Sequence, residues 1–268
     1  MKRPLITLTT DFGLRDPYVA EMKAIILSIS PEALIVDISH EIEKFNIRMG
    51  AYVLASAAPC FPKGAIHVAV VDPQVGTARQ AIIICTNAAL LIGPDNGVLV
   101  LAAKKLGGIK YAYKIANSAL TRPSISSTFH GRDIFAPAAA HLANQTPLAK
   151  FGSKIRGITM PEFSKVTKRK DMLVGEVLHI DSFGNIITNF VQSNFAGMSA
   201  EASVEIELNR IKRKLKLCRA YAEVKPQEPL AIIGSHGFLE LAVNQGNAAE
   251  LFGVKAGDQV ILKLEKHS

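Results

Sequence analysis

The spacing of apolar positions changes character once along the chain. Up to about residue 158, short and nearly continuous apolar runs alternate with helical stripes; from about residue 172 the runs become short, alternating and turn-separated. Runs at 5–10, 34–38 and 65–71 are rich in β-branched residues, the pattern of strands buried on both faces of a parallel sheet. Between the first two, Val19, Met22, Ile25, Ile26 and Ile29 mark one face of a helix. Asp16 is expected to be its N-cap, with Pro17 at the first helical position. A second helix is expected over 48–58, where small residues permit close packing on a sheet. The runs at 81–85 and 89–92 have hairpin spacing, and Gly93-Pro94-Asp95-Asn96-Gly97 turns the chain into a helix over 98–105. Pro137 is comfortable only in a first turn, so the helix around 136–142 should begin there, leaving 127–133 in the preceding loop.

Residues 159–171 form a Lys-rich, Pro-containing polar stretch with little periodicity, expected to be a linker. Strands are then expected at 173–181, 186–190, 202–208 and 260–264, and the partial alternation of 211–217 fits an exposed strand face. Segments 181–185 and 234–242 read as polar loops at strand ends. The expected fold is thus an α/β N-terminal domain with a mostly parallel central sheet (1–158), a linker (159–171) and a smaller all-β, barrel-like C-terminal domain (172–268).

Composition refines this only a little. A chain of 268 residues with 49% hydrophobic and 20% charged residues is ordinary globular material. The start lacks the roughly 7 to 15 residue apolar core of a signal peptide, and no apolar run reaches the roughly 18 residues that span a bilayer. A cytoplasmic protein without membrane partners is therefore expected. Cys60, Cys85 and Cys218 are odd in number and far apart, fitting neither a disulfide framework nor a metal site. The net charge of +8 raises nucleic acid as a partner, yet its basic clusters at 154–170 and 210–219 have no interleaved aromatics. No nucleic-acid partner is expected.

Candidate chemistry begins where charge follows buried strands. Asp72 comes directly after the run 65–71, with Pro73 and Gly76 ending the ladder and Arg79 close behind. Its carboxylate should lie at the carboxyl end of a strand, where open α/β sheets bind ligands. A turn cap paired with Arg79 explains the same residues. Asp11 follows the first strand in the same way, and His130 is the best general-base candidate among seven histidines, although taken alone it fits a surface or structural role better. Dinucleotide, P-loop, α/β-hydrolase and zincin motifs are all absent from the sequence.

Taken in order, Thr10-Asp11-Phe12-Gly13 with Asp16, Asp37-Ile38-Ser39-His40-Glu41, Val71-Asp72-Pro73 to Arg79, Gly93 to Gly97, Thr128 to Asp133, Asp181 to Asn185 and Gly234 to Asn247 resemble the S-adenosyl-L-methionine (SAM) hydroxide adenosyltransferases, relatives of the SAM-dependent fluorinases and chlorinases. The resemblance implies that Asp72, Arg79 and His130 orient and activate a water. It implies that Asp11 grips the ribose hydroxyls, Phe129 packs on the substrate, Asn185 contacts adenine, and Asp181 and Ser235 hold the methionine moiety. Asn244 and Gln245 fall where backbone groups meet the adenine edge, and Phe12, Asp16 and Phe183 belong to the implied substrate contacts. SAM is then the substrate, no cofactor or metal is needed, and the assembly is a homotrimer with sites at subunit boundaries. Two positions depart from the pattern: Gln74 replaces a usual glycine, and His236 stands where the halogenating relatives carry arginine.

The implied reaction is chemically sound. A sulfonium leaves readily, so attack at the ribose 5′ carbon requires mainly an in-line, partly deprotonated water shielded from bulk solvent. A SAM-dependent halogenase and a non-catalytic SAM or adenosine sensor are the alternatives.

Overall fold

The computed structural model describes residues 3–195 and 203–264, which divide into two compact units meeting in sequence at Pro161 and Glu162. The first contains β1 (Leu5–Thr10), α1 (Tyr18–Ile29), β2 (Leu34–Ser39), α2 (Ile47–Ala57), β3 (Ile66–Val70), β4 (Ala81–Cys85), β5 (Leu90–Pro94), α3 (Val100–Lys105), β6 (Tyr111–Lys114), α4 (Ala136–Ala143) and β7 (Lys154–Ile155). Its sheet runs β2-β1-β3-β5-β4-β6-β7; the first four strands are parallel and the remaining pairings antiparallel. The α/β class is as expected. Helices α1 and α4 pack together, as do α2 and α3. Ile6, Leu8, Met22, Ile26, Val68, Ile92 and Phe135 are among the buried residues of one continuous core. Close packing of α2 depends on Gly50, where a Cβ would come within 2.8 Å of a Val71 methyl.

Two local expectations for this unit differ from the structure. Asp16 is not the cap of α1: Pro17 occupies that position, its carbonyl accepting the Glu21 N–H at 2.9 Å. The Asp16 carboxylate is left for the cavity described below. Helical structure also begins before Pro137, with a π turn over Gly131–Phe135 leading into α4. Proline has no N–H to offer the carbonyl four residues back. That Asp133 carbonyl instead accepts the Arg122 N–H at 2.9 Å. The wide turn thus relieves the restriction that placed the helix start at Pro137, and His130 caps it.

The second unit contains β8 (Thr167–Arg169), β9 (Met172–Ile180), β10 (Ile186–Val191), β11 (Ser203–Leu208), β12 (Ile211–Cys218), β13 (Pro229–Ile233), β14 (Phe238–Val243), α5 (Ala248–Phe252) and β15 (Gln259–Leu264). Strands β10-β14-β13-β12-β11-β15-β9 form a seven-stranded barrel closed by β9–β10 pairing, with β8 added to β9. Closure removes the sheet edges. Val177, Phe190, Ile206, Leu215, Leu241 and Leu262 are among the residues filling its interior. The expected strand at 202–208 appears from Ser203; Ala202 lies outside the described residues. The stretch 159–171, expected to be a linker, instead contains a 3₁₀ turn at Glu162–Ser164 and β8. Much of 234–242, expected to be a polar loop, is the fully buried strand β14. Barrel core covers one side of it, while Cys218, Leu230, Ile232 and Ala242 make a second small cluster. Burial on both sides erases the alternation by which a strand is recognised.

No helix among the described residues is long and apolar enough to cross a membrane.

Candidate active site

Strands β1 and β3 are parallel neighbours, with Thr10 beside Val70, so Asp11 and the Val71-Asp72 step leave the sheet together. Because β2 flanks β1 on one side and β3 on the other, strand order reverses here. Such switch points open a crevice beyond the carboxyl ends of the strands. A cavity of about 270 Å³ lies there, lined by the expected residues Asp11, Phe12, Asp16, Asp72, Phe129 and His130.

Three expected residues meet directly. Arg79 donates from Nε to Asp72 Oδ1 at 3.0 Å and from Nη2 to Asp72 Oδ2, and the same Nη2 lies 2.8 Å from His130 Nδ1. An arginine remains protonated and can only donate. His130 Nδ1 must therefore accept, which places the ring's own proton on Nε2. Burial first, then the Arg79 charge, holds the His130 pKa below its ordinary value, opposed by Asp72 and Asp133. The neutral ring is thus matched to its neighbour. The guanidinium also lies 5.3 Å from the Phe135 ring centroid.

Two turns hold this arrangement. Gly76 has φ +79°, and a Cβ there would lie 2.3 Å from the Ser127 carbonyl oxygen, so the Asp72 loop rests directly on the segment leading to His130. Asn96, in the 93–97 turn to which the sequence assigns no chemistry, donates from Nδ2 to the Val71 carbonyl at 2.8 Å. That bond fixes the strand end just before Asp72.

Asp11 Oδ2 accepts the backbone N–H of Phe45 at 2.8 Å. Burial raises the Asp11 pKa, the Phe45 amide opposes this, and Asp72 adds a smaller upward push. Phe12, Tyr18 and Phe129 pack edge-on, with centroids 5.2 to 5.9 Å apart, as an apolar wall. The cavity is also lined by Tyr18, Val75 and Thr128, which lie in motifs of the resemblance without an assigned role, and by Lys44 and Phe45, which sequence reasoning missed. Lys44 and Phe45 carry one available signal, an exposed apolar residue in a polar loop; Phe45 is 66% exposed at φ +65°.

In the second unit, Asp181 Oδ1 accepts the N–H groups of Phe183 and Asn185, both at 2.9 Å, and its Oδ2 accepts Asn185 Nδ2 at 3.0 Å. These expected residues share one turn, from which Phe183 projects 77% exposed. Ser235 lies in the turn between β13 and β14, whereas Asn244 and Gln245 follow β14 at the other end of that hairpin. The hairpin separates them by about 15 Å at the usual strand rise. Gln245 accepts Gln227 Nε2 at 2.6 Å through its carbonyl, and Asn244 donates from Nδ2 to the Val224 carbonyl at 2.8 Å. Glu240 was overlooked. Its buried carboxylate accepts Tyr221 Oη at 3.0 Å, and burial raises its pKa, countered by Tyr221 and aided by Asp181. A Cβ at Gly234 would lie 1.7 Å from this carboxylate, so the Ser235 turn sits directly over it. The lone acid in Phe238-Leu239-Glu240-Leu241-Ala242 was its sequence signal.

An α/β domain with a charged trio at its switch point, followed by a closed seven-stranded barrel, defines a two-domain class to which comparison gives a family. The SAM hydroxide adenosyltransferase N-terminal domain matches residues 6–152, and the C-terminal domain of that family matches 175–261. The chain belongs to this family. It is 39% identical over 266 residues to an (R)-S-adenosyl-L-methionine hydrolase of Salinispora tropica, covering 96% of this chain and 97% of that protein. A fluorinase of Nocardia brasiliensis is 28% identical, with 98% of each chain covered. The crystal structure of an uncharacterized conserved protein from Thermotoga maritima superposes with a TM-score of 0.87 at 38% identity, covering 96% of this chain and 99% of that one.

Proposed function

We propose that this protein hydrolyses SAM to adenosine and L-methionine. The observation that carries the reading is the Arg79 guanidinium joined at once to the Asp72 carboxylate and to His130 Nδ1, beside a small aromatic-walled cavity. In the reaction, a water oxygen forms a bond to the ribose 5′ carbon as the carbon–sulfur bond breaks. The bonding pair goes to sulfur, giving neutral methionine thioether, and the water proton passes to the protein.

In the resting arrangement the lone pair of His130 Nδ1 faces Arg79, so Nε2–H presents a donor that can orient the water oxygen. Both Asp72 oxygens retain a second lone pair and can accept the proton; His130 can do so once Arg79 turns to the developing hydroxide. Arg79 favours negative charge on that oxygen. In this reading Asp11 receives the ribose hydroxyls, with Phe12, Phe129, Asp16 and the exposed Phe45, which line the same cavity, as further contacts. Asp181, Phe183, Asn185, Ser235, Asn244 and Gln245 are proposed to recognise the methionine and adenine ends. The relatives named (R)-S-adenosyl-L-methionine hydrolase support the same substrate here, and the proposed reaction calls on no cofactor. The proposal extends to a homotrimer with substrate at subunit boundaries and, given three free cysteines, to the reducing cytoplasm.

Halogenation is the second reading, motivated by the fluorinase similarity. A halide needs no base, and an anionic Asp72 about 4 Å away repels it by roughly 4 kcal/mol at an effective dielectric near 20. Incubation with SAM in ¹⁸O-water should yield methionine and adenosine labelled at the 5′ oxygen. Methylthioadenosine, S-adenosylhomocysteine, or a 5′-halo-5′-deoxyadenosine as main product in halide buffer overturns the assignment.

A further inference from the structure

The N-terminal unit holds another buried acid that the proposed chemistry leaves unused. Asp133 is fully buried. Its carboxylate accepts Arg132 Nε at 2.7 Å and Nη2 at 3.2 Å, Arg122 Nη1 at 3.1 Å, and the Ser126 backbone N–H at 2.8 Å. Its backbone is equally engaged: the carbonyl accepts the Arg122 N–H at 2.9 Å, and the N–H donates to the Phe129 carbonyl at 3.1 Å. One residue thereby ties positions 122, 126 and 129 of the segment that ends at His130. Arg132 extends the tie, donating to Glu21 of α1 at 2.8 Å and lying 5.0 Å from the Phe129 ring centroid. Burial alone pushes the Asp133 carboxyl up, but Arg132, the Ser126 amide and Arg122 outweigh it, so the group stays charged.

We propose that Asp133 is a positioning residue for the active site. It holds the 122–130 segment so that the His130 ring meets Arg79, and it supplies a fixed negative charge behind that ring. This inference rests on the reading of His130 as a working member of the site. The groups around His130 are Arg79 and Asp72 from the loop after β3, Asp133 and its partner Arg132 from the π turn, and, across the cavity, Asp11, Asp16 and Lys44. A protonated His130 would turn an N–H toward Arg79 and break the trio. Activity should therefore be lost as pH falls through the His130 pKa, which Asp133 raises.

Asp133→Asn keeps the side chain's shape and removes its charge. The expected result is a fall in kcat for adenosine release of about ten- to a hundredfold, the scale of a small misplacement at a reacting centre, with KM for SAM nearly unchanged. The acid limb of kcat, and the His130 imidazole titration followed by NMR, should both move to lower pH. A folded variant with wild-type kcat and an unmoved His130 titration overturns the proposal. If Asp133→Asn does not fold, Arg122→Gln loosens the same segment from a partner whose side chain is 39% exposed. A lowered kcat at constant KM then supports the role, and a wild-type kcat overturns it. Should the unaltered protein release no adenosine from SAM, the reaction assignment fails, and the His130 titration in the Asp133 variant decides this inference independently.

Discussion

Arg79 decides whether Asp72 and His130 act as one site, because its guanidinium is the only group bonded to both among the described residues. Asp72→Asn, Arg79→Ala and His130→Ala should each slow adenosine release by about 10² to 10⁴-fold, the range for general acid or base groups, while SAM binding measured by calorimetry changes little. Asp11→Ala should chiefly weaken binding. Full turnover in all three trio variants places the chemistry elsewhere. His67 carries a different kind of expectation. It is fully buried in β3, 2.7 Å from Thr7 Oγ1, and burial pushes its pKa down to about 4. The unfolded chain, with an ordinary imidazole, takes up the proton first as pH falls. The stability this residue contributes is complete above about pH 6.5 and is lost progressively toward pH 4, amounting to about 3 kcal/mol. Urea unfolding across that range should show the slope in the wild type and a shallower one in His67→Gln; equal slopes would assign the effect to other groups.

At the scale of elements, the proposed site is a contact between a loop leaving the sheet and a segment entering a helix. The Asp72 loop follows β3, the His130 segment precedes α4, and Gly76 lets them touch. In Gly76→Ala, a left-handed backbone costs about 1 to 2 kcal/mol before the collision with the Ser127 carbonyl is added. The loops must then part. Thermal unfolding should show a moderate loss of stability, and kcat should fall well beyond what that loss explains in the folded fraction. A variant destabilised to that degree yet fully active would show that loop contact is not needed for the reaction.

For the whole molecule, the proposed homotrimer needs surfaces that partners can cover, and Phe183 is an apolar group of that kind, 77% exposed in the turn that carries Asp181 and Asn185. Light scattering should give a trimer at assay concentrations, and Phe183→Ser should weaken it or raise KM for SAM. An active monomer refutes the trimeric assembly.

The sequence by itself determined the two-part fold, because buried parallel strands, helical stripes and barrel strands impose different periods on apolar residues, and these survive in any one stretch. It also drew attention to Asp11 and Asp72, since a carboxylate directly after a buried strand lies at the strand's carboxyl end, where open α/β sheets bind ligands. The roles of Asp181, Asn185 and Ser235 came through resemblance to a family, not through periodicity. Tertiary structure alone decided that Asn96 supports Val71, that Asp16 leaves the helix cap, that Glu240 lies beneath the Ser235 turn and that Asp133 organises the His130 segment. It also turned an expected loop into β14 and allowed helix to begin before Pro137. The physical reason is common to all of these. Each depends on a hydrogen bond, a close approach or a second buried face supplied by residues distant along the chain, and such partners leave no period in the local sequence.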